Sequence, residues 1–151
     1  MAATPHMGIH IDRTPQDVFD FVLDIERTPE WRPRMSEVAW ITDGEPGVGS
    51  KIQLSARALA YTFKFELEVT RWEPPLFFGY ASRQGPVLMD SFMEWVPVGD
   101  GCHFNMGGSP RSNSIWVTMT EPMLRSTLVK QNIADLERLK QIMESEGDSP
   151  S

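Results

Sequence analysis

The chain is poor in cysteine, histidine and basic residues, and each shortage removes a class of function. A single cysteine, Cys102, among 151 residues rules out an intramolecular disulfide and fits a reducing, cytoplasmic setting. Fourteen Lys and Arg against 21 Asp and Glu give a formal net charge of −7. Nucleic-acid binding requires clustered cations that displace counterions from phosphates, so no nucleic-acid partner is expected. No apolar run approaches the roughly 18 residues of a membrane span, and the opening "MAATPHMG" has neither the charged start nor the apolar centre of a secretory signal. No integral membrane segment is expected. The three histidines, His6, His10 and His103, have no zinc-site spacing, so no metal and no cofactor are expected. Cys102 and His103 are strand neighbours whose side chains point to opposite faces, which excludes a catalytic pair. Ser109, Ser112 and Ser114 fall in no nucleophile-elbow pattern.

Large soft side chains are abundant, with nine Met, eight Phe and five Trp. Met adapts its shape and Trp carries one polar handle, so both can line a cavity as well as fill a core. The length suits one domain, residues 1–151, with a folded core over about 7–145 and flexible tails at both ends.

Hydrophobic periodicity orders the elements. "GIHID" alternates and predicts a strand. In "RTPQDVFDFVLDIE", Thr14 caps, Pro15 takes the first helical position, and Val18, Phe19, Val22 and Ile25 recur at helical spacing. "RTPEWRP" repeats the Thr-Pro start and stops at Pro33, giving a second short helix that carries Trp31. Six stretches of strand composition follow: "EVAWI", "KIQLSARALA", "YTFKFELEVTRW", "LFFGYASR", "VLMDSFMEWVPV" and "CHFNMG". The separators between them carry turn residues, which predicts an antiparallel meander.

Within "YTFKFELEV", Tyr61, Phe63, Phe65, Leu67 and Val69 share one face and Thr62, Lys64, Glu66 and Glu68 the other. One face is covered and one is wet. Met89, Ser91, Met93 and Trp95 likewise oppose Asp90 and Glu94. The four carboxylates Glu66, Glu68, Asp90 and Glu94 read as a solvated face rather than an acid/base pair. The closing "TEPMLRSTLVKQNIADLERLKQIMESE" predicts a long helix with Leu124, Leu128, Ile133, Leu136, Leu139 and Met143 as its apolar stripe. Its start is open between Thr120 and a point near Asn113 with a kink at Pro122. At 1.5 Å per residue, about 24 residues span roughly 36 Å, enough to cross a sheet.

"GEPGVGSK" after "VAWIT" invites a phosphate-loop reading. The order Gly49, Ser50, Lys51 does not match the required Gly-Lys-Ser/Thr, and an alternating strand follows where a helix start is needed. Nucleotide binding is therefore set aside. One helix about 10 Å wide cannot cover the face of a curved sheet of about seven strands, so an apolar cavity is expected between them.

The order of elements, together with "TPQDVFDFVLDIERTPEWRP", "GEPGVGSK", "RWEPPLFFGY" and "LERLKQIMES", resembles the helix-grip superfamily of START-like and birch-pollen-allergen-like (SRPBCC) proteins. Within it, the polyketide cyclase/dehydrase and lipid transport branch is the nearest likeness. The resemblance implies an α+β helix-grip fold: an about seven-stranded curved antiparallel sheet wrapped around the long C-terminal helix, with two short helices after the first strand.

It also implies a hydrophobic pocket entered near the small helices, with Trp31 at its mouth. A cavity set of Trp31, Tyr61, Phe63, Phe65, Tyr80, Met93, Trp95, Leu124 and Leu128 follows from that placement. Arg57 and Arg83 face either the cavity or solvent. Two functions fit. The first is a binding protein for a hydrophobic small molecule (lipid, quinone, sterol or polyketide-like), for transport or sensing. The alternative is a polyketide aromatase/cyclase or dehydratase in the same cavity, with Tyr61, Tyr80 and Arg83 assisting proton transfer and enolate stabilisation. The ligand's identity and the oligomeric state are not written in the sequence.

Overall fold

A computed structural model describes residues 6–58, 60–84, 88–110 and 122–147. The elements run β1 (His6–Ile11), α1 (Pro15–Leu23), a 3₁₀ turn (Ile25–Arg27), α2 (Thr28–Trp31), β2 (Met35–Trp40), β3 (Lys51–Ala58), β4 (Tyr61–Glu73), β5 (Phe77–Gln84), β6 (Met89–Val98), β7 (Gly101–Pro110) and α3 (Pro122–Gly147). The strands form one antiparallel sheet in the order β1-β7-β6-β5-β4-β3-β2. Strands β2 to β7 make the expected meander, and β1 joins at the far end by pairing with β7. The chain has the α+β helix-grip architecture expected from the sequence.

Local chemistry explains the elements. The Thr14 hydroxyl accepts the Asp17 amide at 3.1 Å and Pro15 occupies the first turn of α1. The cap satisfies one of the orphan donors at a helix start. Helix α2 lasts four residues and lacks a side-chain cap; Arg27 stands at its N-cap. The Gly-rich turn "TDGEPGVGS" spends its amides internally. Gly49 donates to the Val69 carbonyl at 2.9 Å, Gly47 to the Ser50 hydroxyl at 3.0 Å, and Lys51 to the Thr42 hydroxyl at 2.9 Å. Those donors are not presented to a phosphate.

The alternation of β4 holds from Phe63 to Val69, with burial rising along the strand. A register shift between Val69 and Arg71 then turns Trp72 inward, where its ring meets Phe19, Trp40 and Phe78 edge-on. Bulges re-aim side chains in this way. The core lies between the concave face of the sheet, α1 and α3, and centres on Trp95 and Phe104, whose rings are 5.2 Å apart. On α3, Leu136, Leu139 and Met143 are buried as expected. Ile133, expected in the same stripe, is 45% exposed. Among the described residues the helix makes its main contacts with β1 and α2. The earlier start considered for this helix, and Ser112 and Ser114, lie outside the described residues.

Candidate functional site

Strands β5 and β6 build the middle of the concave face. Phe78 pairs with Met93 and Tyr80 with Ser91 across the two strands, so all four side chains share that face. Phe78 and Tyr80 stack with ring centroids 5.0 Å apart. Met93 and Trp95 are buried, and Phe19 of α1 meets the Trp95 ring edge-on at 4.9 Å. From the other side α2 delivers Trp31, which is 1% exposed and meets Phe104 edge-on at 6.2 Å. Trp31 and Trp95 therefore flank the same phenylalanine. Both indole nitrogens are buried and neither has a hydrogen-bond partner among the described residues. Buried polar groups are nearly always paired, so two such donors on rings that flank one residue mark this part of the core as unusual.

A polar cluster adjoins this surface. Asp135, 3% exposed on α3, accepts Arg32 Nε and Arg34 Nη2 on one carboxylate oxygen and Arg138 Nη1 on the other, each at 3.2 Å. Arg32 also donates to Asn132 Oδ1 at 3.2 Å and lies over the Trp31 ring at 5.5 Å. Arg138 donates to the Trp31 carbonyl at 3.0 Å. The cluster ties α2 and the segment after it to α3. Burial raises the Tyr80 phenol above its usual range, while the Arg32 charge and hydrogen bonds to Ser91 and Arg32 pull it part of the way back. The net direction is upward, so Tyr80 is a protonated donor at neutral pH.

The sequence-derived residues distribute unevenly. Trp31, Tyr80, Met93 and Trp95 come together; Phe63 and Phe65 are half-buried farther along β4. Tyr61, at the open start of β4, is 66% exposed and has its ring tilted against that of Phe63, with centroids 6.3 Å apart. Arg83 lies on the outer face, where it pairs with Glu68 at 3.4 Å, and Arg57 is exposed on β3. The trio Tyr61, Tyr80 and Arg83 is not assembled. Leu124 and Leu128 are on α3, but their side chains lie outside the described residues.

The sequence reading missed Arg32, Arg34, Asn132, Asp135 and Arg138. A signal existed: Asp135 interrupts the α3 apolar stripe at helical spacing from Leu128 and Leu139, and "RPR" follows Trp31 directly. An acid in an apolar stripe needs a cation brought to it.

The remaining groups have plain roles. Glu66 pairs with Lys51 at 3.7 Å, Glu94 accepts from Asn105 at 3.2 Å, and Asp90 is exposed, all on the outer face. Burial pushes the Cys102 thiol up to about 11, which keeps it protonated and unreactive. No metal-ligating cluster occurs among the described residues, and none of their helices is long and apolar enough to cross a membrane. A separate open groove of about 540 Å³ runs outside the grip between β1 and α3, bordered by Ile9, His10, Glu137, Lys140, Gln141 and Glu144. Its bordering side chains are mostly polar or charged.

The fold recurs in solved structures. TTHA0849 from Thermus thermophilus superposes with a TM-score of 0.78 at 13% identity, over 97% of this chain and all (100%) of that one. The Zhui aromatase/cyclase from Streptomyces sp. R1128 gives 0.75 at 11% identity, over 97% of this chain and 96% of the other. A START superfamily protein from Mycobacterium smegmatis gives 0.73 at 13% identity, over 95% and 99%. At these identities the likeness establishes fold alone. No curated protein matches in sequence. The family model described as "Polyketide cyclase / dehydrase and lipid transport" matches residues 4–144. A match spanning nearly the whole chain, on a seven-stranded grip with an aromatic concave face, makes this protein a member of the polyketide cyclase/dehydrase and lipid transport family.

Proposed function

We propose that the protein binds a hydrophobic small molecule between the concave face of the sheet and α3, for transport or sensing. The observation that carries this reading is the pair of buried indole N–H groups of Trp31 and Trp95, both without a partner among the described residues. Each unpaired buried donor costs about 1–3 kcal/mol. An acceptor atom on a bound molecule would recover that cost, and the apolar surroundings of Phe78, Met93 and Phe104 suit the rest of such a molecule.

The cyclase alternative loses Tyr61 and Arg83 as partners of Tyr80 and keeps Tyr80 with Arg32. A neutral phenol beside a guanidinium can hydrogen-bond a carbonyl as it gains enolate character. Nothing among the described residues supplies a general base beside them, because Asp135 is engaged by three arginines. Carriage is therefore the better-supported function.

Titration with N-phenyl-1-naphthylamine, a neutral apolar fluorophore, tests the reading. Saturable uptake with one site per chain and quenching of tryptophan emission is expected, and weakened uptake is expected in Trp95→Phe. Absence of saturable uptake by the folded protein would refute it. Mass spectrometry of the gently purified protein, followed by organic extraction, would identify a retained ligand.

A further inference from the structure

The cluster at the inner end of α2 is out of balance. Three guanidiniums, those of Arg32, Arg34 and Arg138, converge on Asp135, and it is the one carboxylate paired with any of them among the described residues. The formal excess is two positive charges, in a chain whose net charge is −7. The side chain of Arg32 is 13% exposed, so its share of the excess is poorly screened by water; Arg34 and Arg138 reach solvent, at 30% and 39%. An ion pair away from water is favourable only when its charges and remaining protons are satisfied.

Hydrogen-bonding capacity is out of balance in the same direction. The Arg32 guanidinium has five N–H donors, and its described side-chain acceptors are Asp135, Asn132 and the Tyr80 hydroxyl. The Tyr80 phenol stays protonated, because burial raises its pKa. The Trp31 indole N–H, one residue from Arg32, has no partner at all among the described residues. Donors therefore exceed acceptors at a place where cations exceed anions. A neutral alcohol would bring one further donor, and a ketone would answer the donors but leave the charge. A carboxylate only accepts, through two oxygens with about four lone-pair positions, and cancels one positive charge.

Resting on the cavity reading above, we infer that the ligand is an amphipathic carboxylate, its apolar body against Phe78, Met93 and Phe104 and its head group held by Arg32 with Tyr80 and Trp31. Arg34 and Arg138 supply the surrounding field and hold Asp135, so that Arg32 is shared between a fixed carboxylate and a bound one. Arg is suited to this sharing, since its planar fork can meet two carboxylates along different edges.

The test is displacement of prebound N-phenyl-1-naphthylamine by dodecanoic acid and by methyl dodecanoate, below their aggregation limits, at neutral pH and low salt. The two competitors differ in charge and hardly in apolar area. The acid is expected to displace the probe at concentrations at least about tenfold lower than the ester, a preference worth about 1.4 kcal/mol. The preference is expected to shrink toward unity in Arg32→Gln, to return in Arg32→Lys, and to shrink less in Arg34→Gln. It should also weaken with added salt. If the probe binds but acid and ester displace it equally, the carboxylate inference is overturned and the cavity stands. If the folded protein takes up no probe, the cavity reading fails and the inference fails with it. Should Arg32→Gln not fold, the acid-to-ester ratio of the unaltered protein and of Arg34→Gln decides the question.

Discussion

Replacing Asp135 with Asn removes the one carboxylate that three guanidiniums share, without changing the side chain's volume. The Asp135 side chain is 4% exposed and that of Arg32 13%, so this contact is away from water. Breaking a buried pair by deleting one partner costs about 3–5 kcal/mol, because the surviving charge is left without compensation. The Arg34 and Arg138 contacts are screened at their exposed ends and add little, since exposed pairs contribute about 0.2–1 kcal/mol. Asn retains one oxygen acceptor, which places the expected loss near the low end, about 3 kcal/mol. For a domain of this size that is a drop of roughly 6–12 °C in Tm. Urea unfolding followed by far-ultraviolet circular dichroism should show a lower midpoint at unchanged slope, since the surface exposed on unfolding is the same. Glu30→Gln is the control: it removes an exposed pair between α2 and Arg27 at its N-cap and should leave the midpoint in place. A midpoint for Asp135→Asn within about 0.5 kcal/mol of the parent would refute the claim that this cluster is a desolvated tie between α2 and α3.

Three further outcomes follow from specific contacts. The protein has two tyrosines, so in Tyr61→Phe the phenolate absorbance reports Tyr80 alone. Its folded pKa lies above the usual 10.0, so its contribution is intact below pH 10 and is lost as pH rises through the folded value; phenolate should appear only above pH 10, and a transition at or below 10 in a folded protein would contradict the burial assigned to it. Gly101 sits where a Cβ would stand 2.6 Å from the Ile11 carbonyl oxygen, so Gly101→Ala should force β1 away from β7 and cost about 1–3 kcal/mol in a thermal melt. Glu144 accepts Lys140 Nζ at 2.7 Å and the Asp12 amide at 3.0 Å. Those bonds hold its carboxyl below the usual 4.5, so its stabilisation is present above pH 4.5 and is lost as pH falls through the lowered folded value; Glu144→Gln should lower stability at neutral pH and flatten the acid limb of the stability curve.

Much of the grip was legible because its signals are local. Thr14 and Pro15 mark the start of α1, the alternation of Phe63, Phe65, Leu67 and Val69 marks a one-sided strand, and the glycines around Gly49 mark the turn before β3. Each depends on neighbours within a few residues, and each recurs in the structure. The local rules misled where the sheet departs from regularity. The shift after Val69 brings Trp72 to the inner face, which strict alternation from Tyr61 does not predict. Tyr61 has the right parity but stands at the open end of β4, where nothing covers it to the depth of Val69.

Residue type and parity, then, determined the elements, the apolar inner face and the wet outer face with its paired Glu66 and Glu68. The tertiary structure alone decided which arginines serve the inner site. Arg83 and Arg57 lie within strands and take the outer face, whereas Arg32 and Arg34 follow α2 and are carried to Asp135, about a hundred residues further along the chain. A charged side chain's partner at that separation is fixed by how helices and sheet pack, and no local pattern encodes it.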